Sequence, residues 1–205
     1  MKRSLPVLML AFAVTLQVGM ASANNLLVNP GFEDPVTYDG PPFVGFWEAF
    51  SAGAGSGAGN TNTLPLSGAQ HLEMVINGVA SSFAGVFQQV AINPSLDVTF
   101  SGFGASLLES GGSEVRFEWF DATETALGGT PNLVPVLGTT YTPFSYTATP
   151  PAGAVFARAV YAIQSFGGPV NQQVYLDDLS VTQVPEPATA LLALVALAPL
   201  GLRRR

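Results

Sequence analysis

Between Asn24 and Pro185 the chain is a succession of short apolar runs, rich in β-branched and aromatic residues, each cut off by Gly, Pro, Asn or Ser. No stripe of helical period runs longer than two turns, so packed helices are excluded and period-two alternation decides what remains. It is clearest in EVRFEWFDA, where Val115, Phe117 and Trp119 share one face and Arg116, Glu118 and Phe120 the other. VFARAVYAI repeats the device, with Phe156, Arg158, Val160 and Ala162 opposite Val155, Ala157, Ala159, Tyr161 and Ile163. Such runs predict strands over residues 26–28, 43–50, 71–76, 83–92, 97–104, 114–121, 141–149, 155–163 and 174–182. Short strands separated by turn signals, with no helix between them, predict an all-β chain folded as an antiparallel two-sheet jelly-roll sandwich.

One segment breaks this rhythm. SAGAGSGAGNTNTLPLSG, residues 51–68, carries Gly53, Gly55, Gly57 and Gly59 but no G-x-G-x-x-G register, no Gly-Lys-Ser/Thr and no following helix pattern. It reads as a flexible surface loop bordering the sandwich.

The ends are chemically different from the middle. Residues 1–23 place Lys2 and Arg3 before an apolar stretch and close on Ala21-Ser22-Ala23, the pattern of a secretory signal cut by signal peptidase. That leaves a sandwich domain over 24–183 and a tail over 184–205. Five of the seven basic residues lie in the two end segments, so residues 24–185 keep only Arg116 and Arg158 against thirteen acids, a net charge of −11. Such a surface repels phosphate backbones and excludes nucleic acid as a partner, while neutral ligands and divalent cations remain compatible with it. The absence of cysteine excludes disulfides and thiolate chemistry, so stability must come from the core, with or without a metal.

The tail reads Pro185, Glu186, Pro187, an apolar stretch over 188–202, then Arg203, Arg204 and Arg205. Fifteen helical residues would span about 22 Å, short of a bilayer core, and Pro199 and Gly201 interrupt them. Three arginines behind the stretch would hold its end on the cytoplasmic side. This tail resembles the PEP-CTERM sorting signal of bacterial proteins, which implies an apolar sorting helix, transient residence in the inner membrane, processing by an exosortase and delivery to the cell surface or beyond. An ordinary C-terminal anchor differs from this only in being kept.

NLLVNPGFED at 25–34, Trp47, Gly68 to Leu72 as G-x-x-H-L, FQQVAINPSLDVTFSGFGA at 87–105 and the closing VYLDDLSVT at 174–182 resemble carbohydrate-binding modules with a galactose-binding-like β-sandwich. The resemblance implies adjacent first and last strands, with Glu33 brought near Asp177 and Asp178. It also implies a structural calcium ion there, since hard cations take oxygen ligands; alternatively the two aspartates only end or kink a strand and Glu33 is solvated. An extracellular polysaccharide is the ligand such a module would hold. Sugar sites combine aromatic faces with amides and carboxylates, and the candidates by type are Trp47, Tyr38, Gln70 and Glu73, with Phe43, Trp119, His71, Gln164 and Asn171 behind them. Trp119 alternates with core positions, and a structural role outweighs ligand contact for His71, the only histidine.

Nothing favours an enzyme. One histidine, no cysteine and no G-x-S-x-G leave no hydrolytic triad. Glu114 and Glu118 fall on the solvated face with Arg116 and Glu109 in a turn, so paired-carboxylate glycosidase chemistry lacks support. Two expectations follow: a surface-sorted module that binds extracellular or biofilm-matrix polysaccharide, or a structural surface protein that keeps the sandwich without a sugar site.

Overall fold

The computed structural model describes residues 24–108 and 112–183. The expected signal segment, the Pro185, Glu186, Pro187 step, the Arg203 to Arg205 cluster and Glu109 lie outside the described residues. Among those described there are ten strands and no helix: β1 Glu48–Ala52, β2 Gly57–Thr61, β3 His71–Asn77, β4 Phe83–Ala91, β5 Val98–Ser106, β6 Ser113–Phe120, β7 Ala126–Gly129, β8 Thr142–Ala148, β9 Phe156–Gln164 and β10 Asn171–Gln183. They form two five-stranded sheets, ordered β1-β4-β9-β6-β7 and β2-β3-β10-β5-β8. Every pairing within them is antiparallel.

The alternation legible in the sequence is what separates inside from outside. Val115 and Phe117 of β6 and Ala157, Ala159, Tyr161 and Ile163 of β9 are fully buried against Leu72, Met74, Ile76, Phe100, Val174 and Leu176 of the second sheet. Phe117 stacks on Trp119 at 5.1 Å and tilts against Phe100 at 6.2 Å. A large apolar side chain buried in this way contributes about 1.5–3 kcal/mol, so the two inner faces supply most of the drive to fold. Of the opposite set on β6 and β9, Arg116, Glu118, Phe156 and Arg158 are only partly covered, whereas Phe120, Val160 and Ala162 are buried as well, so the alternation does not separate inside from outside at those three.

Four strand expectations need correction. Residues 26–28 make no ladder; the Asn25 side chain bonds Leu179 and Val181, and the Gln88 side chain both donates to and accepts from the Val28 backbone. Residues 43–47 form a lip ahead of β1, whose start is held by Thr37: its N–H donates to Trp47 O and its carbonyl accepts from Ala49 N. The glycine-rich segment read as loop contains β2, which pairs with β3 from Gly57 to Thr61. There the Tyr38 hydroxyl accepts from Ala58 N and donates to Ala58 O, and Asn60 holds Val36, so tertiary partners override weak glycine propensity. The short edge strand β7, sequence ALGG, went unread because it carries no alternation.

Candidate functional site

The outward face of the first sheet is a cleft floored by aromatic rings. Phe50 of β1 pairs opposite Gly85 of β4, and its ring lies across that glycine: a Cβ at 85 would meet Phe50 Cζ at 2.4 Å. Phe83 and Phe87, two and two residues either side of Gly85, share its outward face. Rings then touch in sequence along the cleft: Phe43 meets Phe87 edge-on at 5.1 Å, Phe87 meets Phe50 at 6.2 Å, Phe50 meets Phe83 at 6.0 Å, and Phe83 meets Phe166 at 6.4 Å. Phe43 and Phe166, at the two ends, are 44% and 57% exposed.

Three adjoining hollows follow this row. The first, about 380 Å³, lies under the lip between Pro42, Phe46, Glu48, Phe87, Gln89 and Glu124. The second, about 170 Å³, shares Phe87 and reaches Phe50, Arg116, Glu118 and Arg158. The third, about 220 Å³, shares Phe50 and Arg116 and ends at Gln164 and Phe166. From Arg158 to Gln164 along β9 is six strand steps, about 20 Å, so the cleft suits an extended ligand.

Both arginines of the sandwich lie on this floor. Arg116 donates from Nε and Nη2 to Glu118 Oε1, at 3.0 and 2.8 Å, and its Nη1 stands 3.9 Å from Glu114. The Arg158 guanidinium lies over the rings of Phe87 and Phe120, at 4.3 and 4.4 Å, a cation–π arrangement. It donates to Gln89 Oε1 at 3.2 Å and approaches Glu118 Oε2 at 3.6 Å. Burial draws its pKa below the ordinary guanidinium value while the Glu118 and Glu124 carboxylates oppose that shift, and it stays charged. At the lip, Glu48 Oε1 accepts from Gly40 N and Asp39 Oδ2 from Val44 N, while a hydrogen bond with Glu48 is the main cause holding Asp39 below the usual carboxylate pKa.

The three carboxylates expected at a calcium site meet on one loop instead of around one point. Glu33 accepts from Ala69 N at 2.9 Å and Gln70 N at 3.4 Å. Asp177, fully buried, accepts from Leu66 N, Ser67 N and Asp178 N at 2.9, 3.1 and 2.8 Å, and Asp178 Oδ1 from the Ser67 hydroxyl at 2.8 Å. Desolvation raises the Asp177 pKa above 3.8 against the lowering effect of these bonds. Backbone amides and the Ser67 hydroxyl take part of the acceptor capacity of these carboxylates, and among the described residues no group of three or more His, Asp or Glu is arranged to hold a metal ion. Asp177→Ala is expected to lower stability by roughly 1–3 kcal/mol, because three part-buried N–H groups lose their acceptor. EDTA is expected to leave the melting temperature unchanged; a melt that calcium raises and EDTA lowers would restore the ion.

The ligand candidates chosen by residue type are scattered. Trp47 is fully buried, its Nε1 donating to Asn29 O at 2.9 Å, and presents no face to a ligand. Tyr38 is 54% exposed but lies by β2, its hydroxyl committed to Ala58. Gln70 donates to Glu33 O, and Glu73, on the second sheet, accepts from Gln173. His71 is buried between Thr63 O and the Tyr141 hydroxyl, and Trp119 is core. Asn171 opens β10 on the second sheet. Of the wider set, Phe43 and Gln164 line the cleft. Sequence reasoning does not single out Phe50, Phe83, Phe87, Phe166 or either arginine as cleft residues. Their signal was present in the outward spacing of Phe83 and Phe87 on one strand and in the placement of the sandwich's only two cations on outward positions.

No protein-family model matches the chain, and no curated protein matches it in sequence. Solved structures do match in fold. A family 16 carbohydrate-binding module aligns at a TM-score of 0.51 and 19% identity, covering 77% of this chain and 99% of that one. The CBM22-1 xylan-binding domain of Xyn10C from Paenibacillus barcinonensis aligns at 0.53 and 16%, covering 81% and 98%. The enzymatically active domain of tailspike protein 4 from bacteriophage CBA120 aligns at 0.58 and 14% over 78% of this chain, which spans about a fifth of that larger one (21%). The fold class is therefore the jelly-roll sandwich that carbohydrate-binding modules share.

Proposed function

We propose that the protein is a non-catalytic carbohydrate-binding module that holds a stretch of polysaccharide along the outward face of the first sheet. The observation that carries this reading is the unbroken row of rings from Phe43 to Phe166, set in an open cleft with Gln89 and Gln164 beside it. Ring faces take the apolar faces of sugar rings, and planar amides fix hydroxyl directions. Partners such as these are what a chain of repeating pyranose units requires, and the xylan-binding neighbour shares the sandwich on which they are displayed.

Affinity electrophoresis in gels containing xylan, glucomannan or galactan tests the reading. Retardation by at least one of them, lost when Phe87 is truncated, is expected. Unchanged mobility in every gel would leave a structural sandwich without sugar activity.

The same proposal extends to delivery. Cleavage after residue 23 exports the chain, and an exosortase acting on the Pro185, Glu186, Pro187 tail releases it to the cell surface or the extracellular matrix; the support is the tripartite tail in the sequence. Intact mass of the exported protein checks this: a chain starting near Asn24 and ending near Pro185 is expected, and a full-length C-terminus would contradict it.

A further inference from the structure

We infer that Glu118 sets the charge selectivity of the cleft, holding both arginines out of reach of a ligand's carboxylates, so that uncharged sugar chains are accepted and uronate chains rejected. The inference rests on the polysaccharide reading of the cleft and goes beyond it by naming the ligand class and the residue that decides it.

Two cations on the floor of a sugar cleft would ordinarily invite an acidic polysaccharide, because guanidinium groups pair with carboxylates in a two-pronged fork. Here each guanidinium already has a carboxylate partner inside the cleft. Glu118 Oε1 takes both Nε and Nη2 of Arg116, and Glu118 Oε2 faces Arg158 Nη1 at 3.6 Å. Arg116 Nη1 turns to Glu114 at 3.9 Å, and Arg158 Nη2 to Gln89. Among the other donors, Arg158 Nε is buried and has no partner. It is closed in where the guanidinium is sandwiched by Phe87 and Phe120, so it offers nothing to a ligand in the cleft.

The surroundings reinforce this. The hollows present four carboxylates, Glu48, Glu114, Glu118 and Glu124, to two guanidinium groups. The cleft therefore carries a net negative charge within a domain that is itself acidic, and a uronate entering it meets like charge and competes with Glu118 for both cations. Glu118 alone touches both arginines. Removing its charge frees two cations at once, whereas removing any other carboxylate of the cleft frees at most one.

The test compares the protein with its Glu118→Gln and Glu73→Gln variants. Glutamine at 118 keeps the side-chain shape; the change at 73 shifts net charge equally but on the opposite sheet, away from the cleft. Binding is measured to a neutral polysaccharide retained by the cleft and to polygalacturonate and alginate, at low salt and at 0.5 M NaCl, about a Debye length of 4 Å. The unaltered protein and Glu73→Gln are expected to bind only the neutral chain. Glu118→Gln is expected to gain uronate binding by roughly tenfold or more at low salt, with the gain lost at high salt.

Uronate binding by the unaltered protein overturns the inference. So does a folded Glu118→Gln variant that keeps the neutral chain and gains nothing. Absence of binding to every chain by the unaltered protein fells the polysaccharide reading itself, and this inference with it. Should Glu118→Gln fail to fold, Glu118→Ala provides the same comparison, with a gain in uronate binding expected and no gain counting against the inference.

Discussion

Trp47→Ala is expected to lower folding stability by about 3–5 kcal/mol, the usual cost of truncating a large buried aromatic side chain. For a domain of this size that corresponds to a drop of roughly 10–15 °C in melting temperature. The ring is fully buried, tilts on Phe32 at 5.0 Å, and donates its indole N–H to Asn29 O. That bond anchors a turn in which Asn29 and Phe32 both adopt positive φ, 53° and 57°, so the substitution removes packing and also releases a strained backbone. Thermal unfolding checks it, and Trp47→Phe is expected to recover most of the loss. The fraction of Trp47→Ala that remains folded is expected to bind polysaccharide as the unaltered protein does.

Phe87→Ala is expected to show the reverse pattern. Its ring is the junction of the cleft: Phe43 meets it edge-on, Phe50 lies beside it, Arg158 covers it, and it lines two of the three hollows. Central aromatic anchors of a binding surface typically cost about 2 kcal/mol or more when truncated, a weakening of roughly thirtyfold. Loss of retardation in polysaccharide gels with a melting temperature lowered by only a few degrees is the expected result. Equal retardation of Phe87→Ala and the unaltered protein would move the ligand off this face.

These opposite expectations show what the residues alone could and could not tell. The sandwich was legible because Val115, Phe117 and Trp119 alternate with charged neighbours, and burial follows that alternation residue by residue. Strand β2 was not legible, since Gly57 and Gly59 have little intrinsic preference for a strand and the pairing is imposed by β3, Tyr38 and Asn60. The ligand residues were harder still. A tryptophan is the most familiar sugar-stacking residue, yet Trp47 is needed in the core, and the cleft is built instead from phenylalanines whose outward direction depends on register. Phe50 becomes a floor residue only because Gly85 stands opposite it in the adjacent strand and leaves room for its ring. That is a pairing between residues 35 positions apart, and no local pattern contains it. Glu33 and Asp177 take backbone amides of the 66–70 loop as partners, which no side-chain pattern can announce.

The measurement that tests the central claim most directly is a map of backbone amide NMR shifts as a soluble neutral oligosaccharide, chosen from the polysaccharide that retards the protein, is titrated in. The account predicts that the shifts concentrate on Phe83 to Gln89, Glu114 to Glu118, Arg158 to Gln164 and the lip around Phe43, and saturate together with a single affinity. Shifts confined to the opposite sheet, around the hollow between Leu64, Leu66, Tyr141 and Tyr175, would contradict it and place the ligand on the other side of the sandwich.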